Sequence, residues 1–247
     1  MKTIEDLKKI YLNILSEVDS SFFDKKHEKY DEKLSGLFLT SFHPDYFKSN
    51  TRIMLVGAET RGWNVYKKFE LLEVSYNLEN YINGSINRHQ MEIEEILSTP
   101  ISNKREFYNL FKKIIRKTGN KNIIYNNLFC RSYKKKSPIG TVQFNAIKEL
   151  SKKLFLAELE FYQPNIIIFA NGLNSANFRK EIFPLEKCIN RKDFLADGIP
   201  NKQLWQFSFD DYLCYRLTHP SARGNLETIK IAQAKLIDLL PENCFSS

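Results

Sequence analysis

Two short runs of consecutive apolar residues most constrain what this chain can fold into. The run at 53–56, Ile-Met-Leu-Val, ends at Gly57, and the run at 166–169, Ile-Ile-Ile-Phe, ends just before Asn171 and Gly172. A strand that is apolar on both sides is typical of a sheet covered on both faces, as parallel sheets usually are. We therefore expect both runs to be interior strands of one sheet.

Further elements complete this pattern. Residues 122–129 and 212–217 are predicted strands, and the stretches at 4–18, 103–118 and 142–157, with another from about 226, have helical spacing. Strands separated by helices imply crossover connections and a parallel sheet. The sequence thus predicts an α/β fold. We expect one three-layer α/β/α domain over residues 50–247, with a central, mostly parallel four-stranded sheet, preceded by an N-terminal helical extension over residues 1–49.

Charge and composition limit the classes of partner that this protein is expected to bind. The 247 residues include 37 Lys and Arg against 29 Asp and Glu, a net charge of +8, which favours a polyanion such as DNA. The lysines at 134–136 follow a predicted strand and are interpreted either as a solvated loop or as phosphate contacts. No apolar run is long enough to span a bilayer and no leader is recognisable, so we expect a cytoplasmic monomer without a membrane partner.

The cysteines indicate neither a metal nor an iron–sulfur cluster. They are Cys130, Cys188, Cys214 and Cys244, far apart and without a C-x-x-C pair. We expect buried thiols and no cofactor. The chain also lacks the glycine-rich signatures of P-loop and Rossmann nucleotide-binding enzymes.

Polar residues follow the predicted strands at the point where each strand ends. Glu59 follows the first, Asn126 and Asn127 end the second, and His219 follows the last. Ligands of open parallel sheets gather beyond the carboxyl ends of the strands, so a carboxylate, a carboxamide and an imidazole are expected at one edge.

Four short motifs, in order, resemble the uracil-DNA glycosylase superfamily. They are the Gly-Ala-Glu turn at 57–59, the Asn-x-x-x-Cys-Arg strand at 126–131, the Pro-(apolar)-Gly strand at 164–172 and the His-Pro-Ser-Ala-Arg-Gly segment at 219–224. The likeness covers roughly residues 50–240. It implies a monofunctional DNA glycosylase that flips its target base out of the duplex.

The resemblance also implies roles for individual residues. Glu59 would position water and stabilise the sugar cation, as the carboxylates of glycosidases do. His219 would stabilise the departing base, and Asn126 would bind its Watson–Crick edge. Phosphate would be held near the last helix by four consecutive residues, namely Ser221, Ala222, Arg223 and Gly224.

The sequence departs from the uracil-specific members after the acidic residue. Those members carry Pro and then Tyr, a ring that blocks the 5-position of the base, whereas this chain carries Thr60 and Arg61. Arg61 is therefore expected to tolerate or hydrogen-bond a 5-substituent. Trp63, Tyr66 and Phe69 are the candidates for an aromatic platform under the base.

The resulting prediction is a DNA glycosylase that hydrolytically excises uracil or a 5-substituted pyrimidine and leaves an abasic site. Base-excision repair and antiviral defence against hypermodified phage DNA are both compatible with that chemistry. The alternative from another class is a nucleic-acid-binding module without catalysis. The presence of both Glu59 and His219 favours the enzyme, since a pure binder has no use for that pair.

Overall fold

The structure is a computed structural model that describes residues 2–63, 77–102, 105–119, 121–222, 225–242 and 244. The strands are β1 Ile53–Gly57, β2 Ile123–Asn127, β3 Ile166–Phe169, β4 Ile189–Lys192, β5 Leu204–Phe209 and β6 Tyr212–Leu217. The helices are α1 Ile4–Leu15, α2 Leu78–Ser98, α3 Glu106–Thr118, α4 Phe144–Tyr162, α5 Ala176–Ile182 and α6 Leu226–Leu239.

The strands form one mixed sheet in the order β2-β1-β3-β6-β5-β4. The first four are mutually parallel, and Ile53 of β1 lies in register with Ile123 of β2 and Ile166 of β3. The last two run antiparallel to their neighbours. The α/β class is as predicted, but the sheet has six strands and is mixed, so the prediction of a mostly parallel four-stranded sheet is wrong.

The interior strands explain the apolar runs in the sequence. Every residue of β1, β2 and β3 is buried. A strand that is covered on both faces has no position for a solvated side chain, which is why polar residues appear only where these strands end.

The two additional strands form the edge of the sheet and carry a different pattern. All four residues of β4 are exposed, so its sequence has no alternation of apolar and polar residues that would predict a strand. In β5, Leu204, Phe207 and Phe209 are buried while the residues between them are half-buried. A tight turn at Asp210, which has a positive φ of 46°, joins β5 to β6 as a hairpin.

Two helix starts were predictable from their caps. The Thr3 hydroxyl accepts from the Asp6 N–H while the Asp6 carboxylate accepts from the Thr3 N–H, a capping box at the start of α1. The Asn225 side chain accepts from the N–H groups of Glu227 and Thr228 at the start of α6. None of the described helices is both long and apolar enough to cross a membrane.

The chain forms two compact units. Unit 1 consists of Met1–Phe42, Glu59–Glu95 and Phe129–Phe161, and unit 2 of His43–Ala58, Ile96–Leu128 and Tyr162–Ser247. Unit 2 contains the whole sheet with α3, α5 and α6, whereas α1 and most of α2 and α4 belong to unit 1. The extension predicted over residues 1–49 therefore contributes to both units.

Candidate active site

His219 lies in unit 2, just beyond the carboxyl end of β6. The Ser221 N–H donates to Nδ1 of His219 at 3.1 Å. Because Nδ1 accepts this bond, the neutral imidazole carries its proton on Nε2, which is then the hydrogen-bond donor of the ring. The bond thus selects the tautomer that a group stabilising a negatively charged oxygen needs.

The loop after β3 lies against the same histidine. Gly172 has a φ of +77°, and a Cβ built on it would lie 3.4 Å from Cβ of His219. Since β3 and β6 are adjacent parallel strands, their carboxyl ends meet at one edge of the sheet, as expected from the sequence. Gly172 supplies a backbone conformation that other residues rarely adopt.

Phe107 is a component of this site that the sequence analysis missed. Its ring stacks on the His219 imidazole, with centroids 6.2 Å apart and an interplanar angle of 23°. It also packs against Tyr125 of β2, at a centroid distance of 5.4 Å. Its helical spacing matches that of the buried residues of α3, so the sequence does not distinguish it from them, and only the tertiary structure shows what its ring touches.

Gly57, the last residue of β1, gives Phe107 and Asn127 room. A Cβ at position 57 would lie 3.2 Å from the Phe107 ring and only 2.5 Å from Oδ1 of Asn127. The second contact is shorter than real Cβ contacts, so any side chain larger than hydrogen would displace the carboxamide. Glycine at the end of β1 is therefore required by a close approach of two side chains.

The two asparagines at the end of β2 face opposite sides of the sheet. Oδ1 of Asn126 accepts from the Asn127 N–H at 2.7 Å, and its Nδ2 lies 3.7 Å from the sulfur of Met54. Nδ2 of Asn127 donates to the Tyr125 hydroxyl at 3.3 Å. Gly57 is the register partner of Asn127, so a side chain at position 57 would point to the same face of the sheet as Asn127. The structure thus brings Asn127, and not Asn126, to the cluster around Phe107.

Glu59 lies in unit 1, two residues beyond the end of β1. Only 6% of its side chain is exposed, and this burial raises the pKa of its carboxyl above the ordinary value. The Arg61 guanidinium, with Nε 3.4 Å from Oε1 of Glu59, lowers that pKa in part. A carboxyl with a raised pKa is typical of groups that accept and return protons.

Arg61 itself projects into solvent, with 72% of its side chain exposed. Its guanidinium therefore contacts Glu59 from the outside. Because Glu59 is buried, its ionised form depends on the neighbouring charge of Arg61, so the position of Arg61 and the ionisation of Glu59 are coupled.

The segment after His219 forms a turn. The Ala222 N–H donates to the His219 carbonyl at 2.8 Å, so this amide, predicted to hold phosphate, is already engaged within the turn. Ser221 is exposed. Arg223 and Gly224, and the platform candidates Tyr66 and Phe69, lie outside the described residues, and the roles predicted for them stay predictions.

Trp63, the remaining platform candidate, is buried in unit 1, with 4% of its surface exposed. Its ring packs edge-to-face on Phe38 at 4.9 Å and carries the guanidinium of Arg88 over its face, also at 4.9 Å. Two sides of the indole are thus covered within unit 1.

No protein-family model matches the chain, and neither does any curated protein. Among the described residues, no three side chains of His, Cys, Asp or Glu come together as a potential metal site. The four cysteines are free and buried.

Proposed function

We propose that this protein is a DNA glycosylase that flips a damaged or modified pyrimidine and hydrolyses its N-glycosidic bond. The observation that carries the proposal is the cluster of His219, Phe107 and Gly57 at the carboxyl ends of β6 and β1. It combines an oriented hydrogen-bond donor with an aromatic face, which are the groups that a planar, hydrogen-bonding base requires.

The topology supports a ligand site at this edge. The order β2-β1-β3 means that the chain crosses to one side of β1 and then to the other, which creates a switch point at the carboxyl ends of β1 and β3. Open α/β sheets bind their ligands in the crevice at such a point. Gly57 ends β1, and Gly172 after β3 contacts His219.

In the proposed reaction the C1′–N bond breaks and its electron pair leaves with the base. The Nε2–H of His219 donates to an oxygen of the departing base and stabilises its negative charge. Water adds to C1′ of the sugar cation and gives its proton to Glu59, whose carboxylate also stabilises the cation. Glu59 then returns this proton to solvent, and the departing base anion takes a proton from solvent. The products are the free base and an abasic site, without a cofactor.

The carboxamide at the end of β2 would bind the edge of the base, since one amide offers both a donor and an acceptor. Asn126 was predicted for this role from the resemblance. The geometry favours Asn127, because it lies on the face of β2 that carries the Phe107 cluster. Substituting each asparagine by Asp and measuring base release separates the two assignments.

The proposal is tested with oligonucleotides that carry uracil, hypoxanthine, xanthine, 5-hydroxymethyl or glycosylated pyrimidines. Abasic sites are scored by alkaline cleavage, and the wild type is expected to cleave at one or more pyrimidines. Binding to the same DNA should weaken with salt, with a log–log slope of about −0.9 per neutralised phosphate. DNA binding that is salt-dependent but never yields abasic sites would instead identify a non-catalytic binding module.

A further inference from the structure

Unit 1 contains a cavity of about 580 Å³ that the proposed reaction does not use. It lies between the 23–36 loop, the Gly62-Trp63 segment, the first turn of α2 and the loop at 134–135. All its lining residues belong to unit 1. The volume is within the usual range of small-molecule sites.

The lining of this cavity is cationic. Among the described lining residues are four lysines and one carboxylate, namely Lys25, Lys33, Lys134, Lys135 and Glu32. A concave surface with such an excess of one sign concentrates ligands of the opposite charge. The cavity therefore favours an anion.

Its walls are also aromatic. Phe23, Tyr30, Trp63 and Tyr81 are among the lining residues; Tyr30 is half-buried, and the other three are buried and reach the cavity with little of their surface. The indole Nε1 of Trp63 is buried and has no hydrogen-bond partner among the residues that the structure describes. Buried polar groups without partners are rare in native proteins.

A buried cation lies directly behind this wall. Only 1% of Arg131 is exposed. Its guanidinium donates to the Ser35 carbonyl at 2.8 Å and to the Tyr81 hydroxyl at 3.2 Å, and it lies 5.5 Å from the centroid of the Phe23 ring. All three of these residues line the cavity.

These partners of Arg131 are neutral. Within the described part of the chain, no carboxylate pairs with the guanidinium, and its Nε has no hydrogen-bond partner. A buried charge is costly unless an opposite charge compensates it. An anion in the adjacent cavity would supply that compensation.

Two of the lysines occupy a turn that suits other residues better. Tyr133 and Lys136 exchange both backbone hydrogen bonds, at 3.0 and 2.9 Å. The two residues between them, Lys134 and Lys135, have φ values of +49° and +58°. Such two-residue hairpins strongly prefer Asn-Gly, because both positions need positive φ. Consecutive strained lysines that line a cavity indicate that their side chains serve the cavity rather than the turn.

We propose that this cavity binds a nucleoside phosphate, with the base against the aromatic rings and the phosphate on the lysines of the turn. Stacking aromatics next to cationic groups are the combination that binds nucleotides regardless of sequence. The nucleotide is either free or part of a nucleic-acid strand, since both present the same chemistry. Neither Glu59 nor His219 is among the described residues that line the cavity.

Binding is measured by tryptophan fluorescence. The chain has two tryptophans, so the full-length Trp205→Phe variant leaves Trp63, in the cavity wall, as the reporter. The probes are thymidine monophosphate, thymidine, inorganic phosphate and a short single-stranded oligothymidylate. We expect thymidine monophosphate or the oligonucleotide to quench Trp63 at lower concentration than thymidine or phosphate does. Quenching by the oligonucleotide alone would identify a strand as the source of the nucleotide.

The matched variants are K134N/K135G and K180N/K187N, each of which removes two positive charges. The first places Asn-Gly in the strained turn, so it should raise the melting temperature while weakening nucleotide binding about tenfold or more. The second removes two exposed lysines of unit 2 and should leave binding within about twofold.

Three results would overturn the proposal. The first is the absence of quenching by both the mononucleotide and the oligonucleotide. The second is equal affinity for thymidine monophosphate and for thymidine or phosphate alone. The third is a K134N/K135G variant that binds as tightly as its parent. The thermal stability of that variant shows that any loss of binding does not come from unfolding.

Discussion

The imidazole of His219 is stacked on the ring of Phe107, with 6.2 Å between the centroids and 23° between the planes. A second contact, from the Ser221 N–H to Nδ1, fixes the ring within its own plane. Together the two contacts fix the plane of the ring and the direction in which Nε2 points. A preorganised neutral donor of this kind stabilises negative charge that develops during a reaction.

The first prediction concerns His219. Replacing it with Ala removes the proposed donor to the departing base, so single-turnover base release should fall about 10²-fold or more. DNA binding should change little, because the loss is in the transition state. Quench-flow measurement of abasic-site formation and a filter-binding assay separate the two quantities.

The chain offers a matched control in unit 2. His43 is also followed by Pro, and its Nδ1 accepts from the Asp45 N–H at 3.1 Å, the same distance as in the pair of Ser221 and His219. His43→Ala removes the same local bond far from any predicted role, and it should keep full activity. Equal losses in both variants would assign the effect to folding and remove His219 from the mechanism.

Part of this site was predictable because the ends of apolar strands can be recognised in a sequence. Gly57 ends β1 and His219 comes two residues after β6, at the edge where a parallel sheet places its ligands. Phe107 was not predictable in the same way. It shares its helical spacing with buried residues of α3 such as Leu110 and Phe111, and which of them meets the sheet edge depends on how the helix packs.

The edge strands show the corresponding limit for the fold. β4 has no buried residue, so no hydrophobic signal marks it. The alternation of β5 and the Asp-Asp turn before β6 were in the sequence, but without the preferred Asn-Gly or Asp-Gly pair the hairpin was missed. Likewise, helix α2 was not predicted, because its many polar residues hide the helical spacing of the apolar residues that pack against the rest of the chain.

The second prediction concerns pH. Burial raises the pKa of Glu59 above its ordinary value of 4.5, and Arg61 lowers it in part. If the carboxylate accepts a proton from water, activity should fall on the acid side with a midpoint above pH 4.5. Arg61→Ala removes the lowering contribution, so its acid limb should move to higher pH. The pH–rate profiles of the wild type and of Arg61→Ala measure this shift. If the acid limb has the same midpoint in both proteins, Glu59 is not the group whose titration limits activity.

The same raised pKa has a consequence for stability. The folded state disfavours ionised Glu59, so the contribution of this residue to the free energy of unfolding is present at low pH and is lost as pH rises through the folded-state pKa. The difference in the free energy of unfolding between Glu59→Gln and wild type should therefore favour the variant more at neutral pH than at acid pH. Urea denaturation at both pH values tests the sign, and Glu79→Gln, an exposed carboxylate, is the control.

The third prediction concerns Gly57. An alanine methyl group there would lie 2.5 Å from Oδ1 of Asn127, so Gly57→Ala should destabilise the chain by about 1–3 kcal/mol. Adding Asn127→Ala removes the clashing atom and should restore part of that loss. Chemical denaturation of the single and double variants measures the coupling. If the two substitutions change the free energy of unfolding additively, the side chains at positions 57 and 127 are not in contact.

The last prediction concerns which base is accepted. Arg61 has 72% of its side chain exposed and contacts Glu59 through Nε at 3.4 Å, so in the proposed complex we expect its terminal N–H groups to reach a polar 5-substituent of the base. Arg61→Tyr replaces a movable set of donors by a rigid ring. We expect it to lose activity on 5-hydroxymethyl and glycosylated pyrimidines while activity on uracil is retained or increased.

Arg61→Lys is the informative companion of this variant. Lysine keeps the charge next to Glu59 but has no planar fork of donors. If hydrogen bonding to the substituent sets the specificity, the lysine variant should lose part of the activity on glycosylated pyrimidines and keep its activity on uracil. If Arg61 acts only through its charge on Glu59, the lysine variant should match wild type on every substrate. A ratio of uracil to 5-substituted activity that does not move in either variant would exclude Arg61 as a specificity residue, since neither its shape nor its donors would then reach the base.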